Sequence, residues 1–136
     1  MSDVIDLSTY DPNDIPEGKI HPAGTEMQAR ISRMTKDTDK NNTPYLMPWF
    51  EDPEDPNVED FNDYLPLPEQ DATEKENGKR LRRLKTFDEA FELGIFNGAF
   101  NVDDAKGATG WVILGVGEGQ DGESQNRVKK YLVQTG

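Results

Sequence analysis

Cysteine is absent from this chain, and histidine occurs once, at His21. These absences exclude disulfides, thiolate nucleophiles, Cys/His zinc sites and most Ser-His chemistry. No run of about 18 apolar residues occurs, so no membrane-spanning helix is expected. The opening Met-Ser-Asp-Val-Ile-Asp has neither the basic nor the apolar region of a secretory leader. Apolar side chains are themselves scarce. Only 33% of the 136 residues are hydrophobic, against 31% charged, and the mean hydropathy is -0.86. A single domain with a small core and long solvated segments follows. The expected class is an intracellular protein that is not an enzyme and carries no metal or cofactor.

What the chain has in excess is negative charge, with a net value of -12. A balance of that sign argues against nucleic-acid binding, because phosphates reward positive surfaces. The distribution argues otherwise. Residues 1–17 hold five acids and no base, and residues 51–76 hold eleven acids and one base, Lys75. Those segments carry -5 and -10, which leaves +3 for the remainder. There the bases cluster as Arg30, Arg33, Lys36 and Lys40, as Lys79, Arg80, Arg82, Arg83 and Lys85, and as Arg127, Lys129 and Lys130. Each cluster taken alone is most simply a solvated face, and only their placement relative to other groups can say more.

Residues 1–16 read as an extended acidic arm, with Pro12 and Pro16 opposing regular structure. Residues 17–136 read as one domain. From Glu26, apolar Met27, Ala29 and Ile31 alternate with Gln28, Arg30 and Ser32, the period of a half-buried strand. A polar turn over 36–42 leads to a second strand at Tyr45–Phe50, weakened by Pro48. Residues 51–70 form an acidic, proline-rich insertion expected to be mobile, with an ordered piece around Phe61, Tyr64 and Leu65. A helix is expected from Thr73, and the Thr86/Glu89 pair suggests a second, short helix ending at Gly94. Trp111–Val116 and Asn126–Val133 read as two strands of a hairpin around a glycine-rich turn. Phe50, Phe87, Phe91 and Phe96 are assigned to the core.

Most chemical motifs fail on inspection. Asp37-x-Asp39-x-Asn41 copies the start of a calcium loop, but Asn42 and Pro48 stand where that loop needs Gly and Glu. Gly115-x-Gly117-x-Gly119 follows a strand with no helix after it, so it is a turn and not a dinucleotide fingerprint. No phosphate-cradling Gly-Lys-Ser/Thr occurs. The surviving pattern is aromatic with basic. Tyr45, Met47 and Trp49 share one face of a strand, Trp111 opens another, and Tyr131 follows Lys130. Flat faces for stacked bases and cations for phosphates are what single-stranded nucleic acid requires.

The stretch Gly110-Trp111-Val112-Ile113-Leu114, a glycine-rich turn, then Asn126-Arg127-Val128-Lys129-Lys130-Tyr131-Leu132 resembles the end of a family of bacteriophage single-stranded DNA-binding proteins. The hairpin Met27–Phe50 and the segment Leu81–Ile95 also resemble parts of that family. The resemblance implies a mainly β fold, a five-stranded OB-like barrel with one helical segment between strands and a long acidic loop. It implies a sequence-independent role in coating exposed strands during phage DNA replication or recombination, in the cytoplasm of an infected bacterial host. Asn126, Lys129, Lys130 and Tyr131 match the terminal motif, and Tyr45 the aromatic after the hairpin loop. On this reading Arg30, Arg33, Lys36, Arg127, Lys129 and Lys130 neutralise phosphates, while Tyr45, Trp49, Trp111 and Tyr131 stack on bases. The expected partner is single-stranded DNA, with no membrane. Phage or host replication proteins are candidate partners of the acidic tract, and oligomerisation is left open. The rival reading is an acidic protein that mimics DNA to inhibit or recruit a nucleic-acid enzyme.

Overall fold

The computed structural model describes residues 3–134; the first two residues of the expected arm and the last two of the chain lie outside it. Its scaffold is an antiparallel sheet. The strands are β1 (Glu26–Thr38), β2 (Pro44–Glu51), β3 (Phe61–Asn62), β4 (Leu65–Pro66), β5 (Thr109–Glu118) and β6 (Ser124–Leu132), with helix α1 (Glu74–Phe91) between β4 and β5. The spatial order is β3-β2-β1-β5-β6, and β4 also pairs with β2. The mainly β expectation holds, with one helix and six strands in an open sheet. No ladder joins β3 to β6 among the described residues, so the expected closed barrel is not present as a hydrogen-bonded ring.

β1 is the spine. Its first part, Glu26–Arg30, pairs with β5, and its later part, Arg30–Thr38, pairs with β2. The inward set Met27, Ala29 and Ile31 follows strict alternation, then shifts phase to Met34. The cause is an irregularity between Ile31 and Arg33, which inserts Ser32 and turns the strand, as bulges do. In β2 the alternation buries Leu46, Pro48 and Phe50 and leaves Tyr45, Met47 and Trp49 half-exposed. Pro48 lies inside this strand. Its neighbour is interrupted there, since β3 pairs with Trp49 and Phe50 while β4 pairs with Tyr45 and Leu46. A proline has no N–H to give a ladder, but its carbonyl accepts from the Asp63 N–H at 3.2 Å.

α1 is one continuous helix, which corrects the expectation of two. Thr73 is its N-cap, accepting from the Glu76 N–H at 3.1 Å. Thr86 is not a cap; its hydroxyl donates to the Arg82 carbonyl one turn back, and Glu89 pairs with Lys85. Leu84, Phe87, Ala90 and Phe91 form its buried stripe. Gly110 in β5 lets that stripe approach, because a Cβ there would meet the Ala90 carbonyl and the Phe91 ring at about 3 Å. The acidic segment 51–70 is packed on the sheet, with Val58, Phe61 and Leu65 buried. Asp52 and Asp55 each accept a backbone N–H two residues on, and Lys19 bonds through its backbone to Asn57 and Glu59.

The two sheet edges are bridged by side chains. Tyr131 of β6 donates its hydroxyl to Asp63, just after β3, at 2.5 Å. Arg83 of α1 donates to the same oxygen at 2.6 Å. The Tyr131 ring packs against Phe50, Phe87 and Phe91. Burial raises the Asp63 carboxyl above its usual range, against the opposing pull of Tyr131 and Arg83.

Two outcomes follow. Tyr131→Phe strands part of a buried carboxylate, and should lower stability by about 1–3 kcal/mol in urea unfolding. Because the folded state raises the Asp63 pKa, its ionised form opposes folding, and that penalty disappears as pH falls through the raised value. The wild type should therefore gain stability relative to Asp63→Asn as pH drops from about 7 towards about 4. A difference that stays constant or moves the other way would reverse this assignment.

Candidate nucleic-acid interface

The outward face of the β1–β2 hairpin follows from its register. Arg33 lies opposite Trp49, Thr35 opposite Met47 and Asp37 opposite Tyr45. The Arg33 guanidinium sits 4.8 Å from the centre of the Trp49 ring, a cation–π contact that orients both groups. Tyr45 packs on Tyr64 with ring centres 4.8 Å apart. The Tyr64 hydroxyl donates to Asp39 at 2.6 Å, a bond that pushes the phenol up to about 12. Asp39 also accepts from the N–H groups of Asn41 and Thr43. The motif that mimics a calcium loop is thus a turn held by its own carboxylate, and the turn positions Tyr45.

The other wall comes from the β5–β6 hairpin. Its turn brings Gln120, Asp121 and Gln125 across from Met47, Trp49 and Asn62, enclosing an open groove of about 600 Å³. Arg127 follows Gln125 on the same face, with Gln125 opposite Gly117 and Arg127 opposite Gly115. A Cβ on Gly117 would fall inside the Arg127 guanidinium, so the missing side chain is what lets Arg127 lie flat on the strand. A break in register between Ile113 and Leu114 leaves Lys129 as the extra residue of β6, and Lys130 opposite Ile113. Both lysines are exposed.

Of the expected phosphate ligands, Arg33, Lys36, Arg127, Lys129 and Lys130 are in no ion pair among the described residues. Arg30 is held by Glu51, with two bonds of 3.0 and 2.7 Å. Lys36 lies beyond Met34 on β1, out of phase with Arg33 and Thr35, so it leaves the Trp49 face. Trp111 is 38% exposed but shares its hollow with Glu26, Asp52 and Glu54, an environment that repels phosphate. Two expected site residues are corrected outright. Tyr131 is buried in the aromatic core, because strand alternation after the register break turns it inward. Asn126 is 2% exposed, and its amide accepts from the His21 N–H and donates to the His21 and Gly115 carbonyls. It is a structural clamp for the incoming chain. His21 itself meets Asp52 at 2.9 Å.

The helical cluster is largely committed. Arg80 holds the Leu67 carbonyl and Glu69, and Arg83 holds Asp63. Sequence reasoning missed Asn62, Gln120 and Gln125. Amides carry no periodic or charge signal, and they meet here only through the fold. No protein-family model matches this chain, and no curated protein matches its sequence.

Removing Arg33 should uncover Trp49. In a Trp111→Phe background, Arg33→Ala is expected to increase acrylamide quenching of the remaining tryptophan; unchanged quenching would show that the guanidinium does not cover the ring in solution.

Proposed function

We propose that this protein binds single-stranded nucleic acid, without sequence preference, in the groove between β2–β3 and the β5–β6 turn. The observation that carries the reading is the half-exposed Trp49, with the unpaired cation Arg33 over its ring, in a groove walled by Asn62, Gln120, Asp121 and Gln125, and with unpaired Arg127 two residues beyond Gln125 on the same face of β6. An aromatic face takes a base by stacking, and cations beside it track the phosphates. Amide side chains donate and accept equally well, so they suit base edges of any identity. The fold gives independent support. A sheet ordered β3-β2-β1-β5-β6, with α1 ahead of its last hairpin and its outer edges linked by Tyr131 and Asp63, has the strand neighbours of an OB-like barrel. Single-stranded DNA of a phage replication or recombination system is the ligand that the sequence resemblance suggests.

A second reading has one observation in its favour. The acidic segment is held in fixed turns by Asp52 and Asp55, so its carboxylates form a rigid array of the kind a DNA mimic would present to a nucleic-acid enzyme.

Fluorescence titration with oligo-dT of about 30 nucleotides separates the two, since stacking quenches tryptophan and salt weakens phosphate contacts. In a Trp111→Phe background, Trp49 should be quenched to saturation at low salt, with duplex of equal length inert. Trp49→Ala should weaken binding roughly 5- to 150-fold, the equivalent of one lost stack. Arg127→Gln should reduce the salt dependence by about 0.7 in log–log slope. No quenching and no gel shift would overturn the proposal and put the acidic mimic first.

A further inference from the structure

Of the eleven large apolar side chains exposed among the described residues, seven lie in two places that the groove at Trp49 does not use. One is the arm. Ile5, Leu7, Tyr10 and Ile15 are 79%, 61%, 67% and 61% exposed. The arm is shaped nonetheless: the Tyr10 N–H donates to the Leu7 carbonyl, Asp6 caps Ser8, and Asp11 caps a short helical turn at Pro12–Asp14. Leu7, Tyr10, Pro12 and Ile15 thereby surround one apolar hollow. The other place is the outer side of α1. Leu81 and Phe96, 39% and 52% exposed, line an apolar groove of about 390 Å³ with Arg82 and Lys85 on its rim. Phe96 was expected in the core; the short helical turn Ile95–Asn97 carries it to the surface instead.

We propose that the arm of one copy docks in the α1 groove of a second copy. The apolar match is Leu7 and Tyr10 against Leu81 and Phe96. The charge match is as direct. Residues 3–17 hold five acids and no base, while Arg82 and Lys85 line the groove and exposed Lys79 lies three residues before Arg82 on α1. Asp88 and Glu89 also border the groove. Asp88 is occupied in accepting the Ile95 N–H and Glu89 faces Lys85, so the cation lining the groove that is in no ion pair among the described residues is Arg82. Nucleic acid and anionic lipid surfaces would both repel the arm. Among the described residues, no arm residue lines the groove of its own copy, and the chain after the arm is tethered through Lys19 to Asn57 and through His21 to Asn126. An arm-to-groove contact joins two different surfaces, so it repeats head to tail.

Sedimentation velocity of the full chain, without nucleic acid, tests this independently of the function proposed above. The average mass should rise above the monomer with concentration and fall with added salt. Leu7→Ser/Tyr10→Ser and, separately, Phe96→Ser should each hold the protein at monomer mass. The arm variant lies outside the folded sheet, so its folding is secure, and circular dichroism checks the other. Asp3→Lys/Asp14→Lys and Arg82→Glu/Lys85→Glu should each lose self-association alone and recover it when mixed. A monomer at every concentration would overturn the proposal. So would self-association that survives the arm and groove variants, or an arm effect on shape without concentration dependence, which would place the arm in its own groove.

Discussion

One buried carboxylate sets the shape of this molecule. Asp63 sits where the two edges of an open sheet approach, and a charge taken out of water there costs several kcal/mol unless it is well bonded. Tyr131 and Arg83 supply the bonds, from a strand and a helix distant in sequence. Asp63 is next to Asn62 on β3, and Tyr131 shares β6 with Gln125. Asn62 and Gln125 are opposite walls of the Trp49 groove. The bond that joins the edges therefore joins the two strands that carry Asn62 and Gln125. The small apolar fraction is spent at this point as well, in the mutual packing of Phe50, Phe61, Phe87, Phe91 and Tyr131. Aromatic rings bury large areas per residue, which is how a chain with so few hydrophobic residues encloses a core.

A protein of net charge -12 can present a cationic face only if its acids are elsewhere. Here many of them have local work. Asp52 and Asp55 close turns and meet His21 and Lys19, and Glu51 holds Arg30. Hydrogen bonds from Lys19 and the Asn57 N–H hold the Asp55 carboxyl below its usual range. Arg33 and Arg127, in contrast, have no carboxylate partner among the described residues and lie on glycine or tryptophan surfaces that keep them extended. Screening over about 8–10 Å at physiological salt makes such local separation matter more than the total.

The sequence made the strands legible wherever a face is half buried. Met27, Ala29 and Ile31, and the Tyr45, Met47 and Trp49 face, were readable because period 2 has one physical cause. It failed where phase changes. The irregularity at Ser32 and the register break beside Lys129 shift alternation by one residue, and a one-residue shift reverses a side chain's face. Tyr131, expected as a stacking face beside Lys130, is turned inward by the second of these breaks. Phe96 failed differently: a phenylalanine reads as core by type, but a tight turn after Gly94 leaves it no element to pack beneath. The break of β3 from β4 opposite Pro48 was foreshadowed by the proline, whose missing donor weakens any ladder beside it. The second wall of the groove left no trace in the sequence, because glutamine and asparagine acquire a role only through their neighbours.

The two exposed hollows differ in a way that assigns them different ligands. The groove at Trp49 is ringed by Asn62, Gln120 and Gln125, which offer both donors and acceptors, and by the carboxylate of Asp121. An apolar ligand there would leave those groups dry and unpaired, at a cost of about 1–3 kcal/mol for each one buried. The α1 groove has an apolar floor of Leu81 and Phe96 with charge only at its rim, so a base edge placed in it would lose its bonds to water and gain few in return. On the readings proposed above, polar, planar ligands go to one site and apolar side chains on an acidic arm to the other. Both can be filled at once, because the first lies on β2, β3 and the β5–β6 turn and the second on α1.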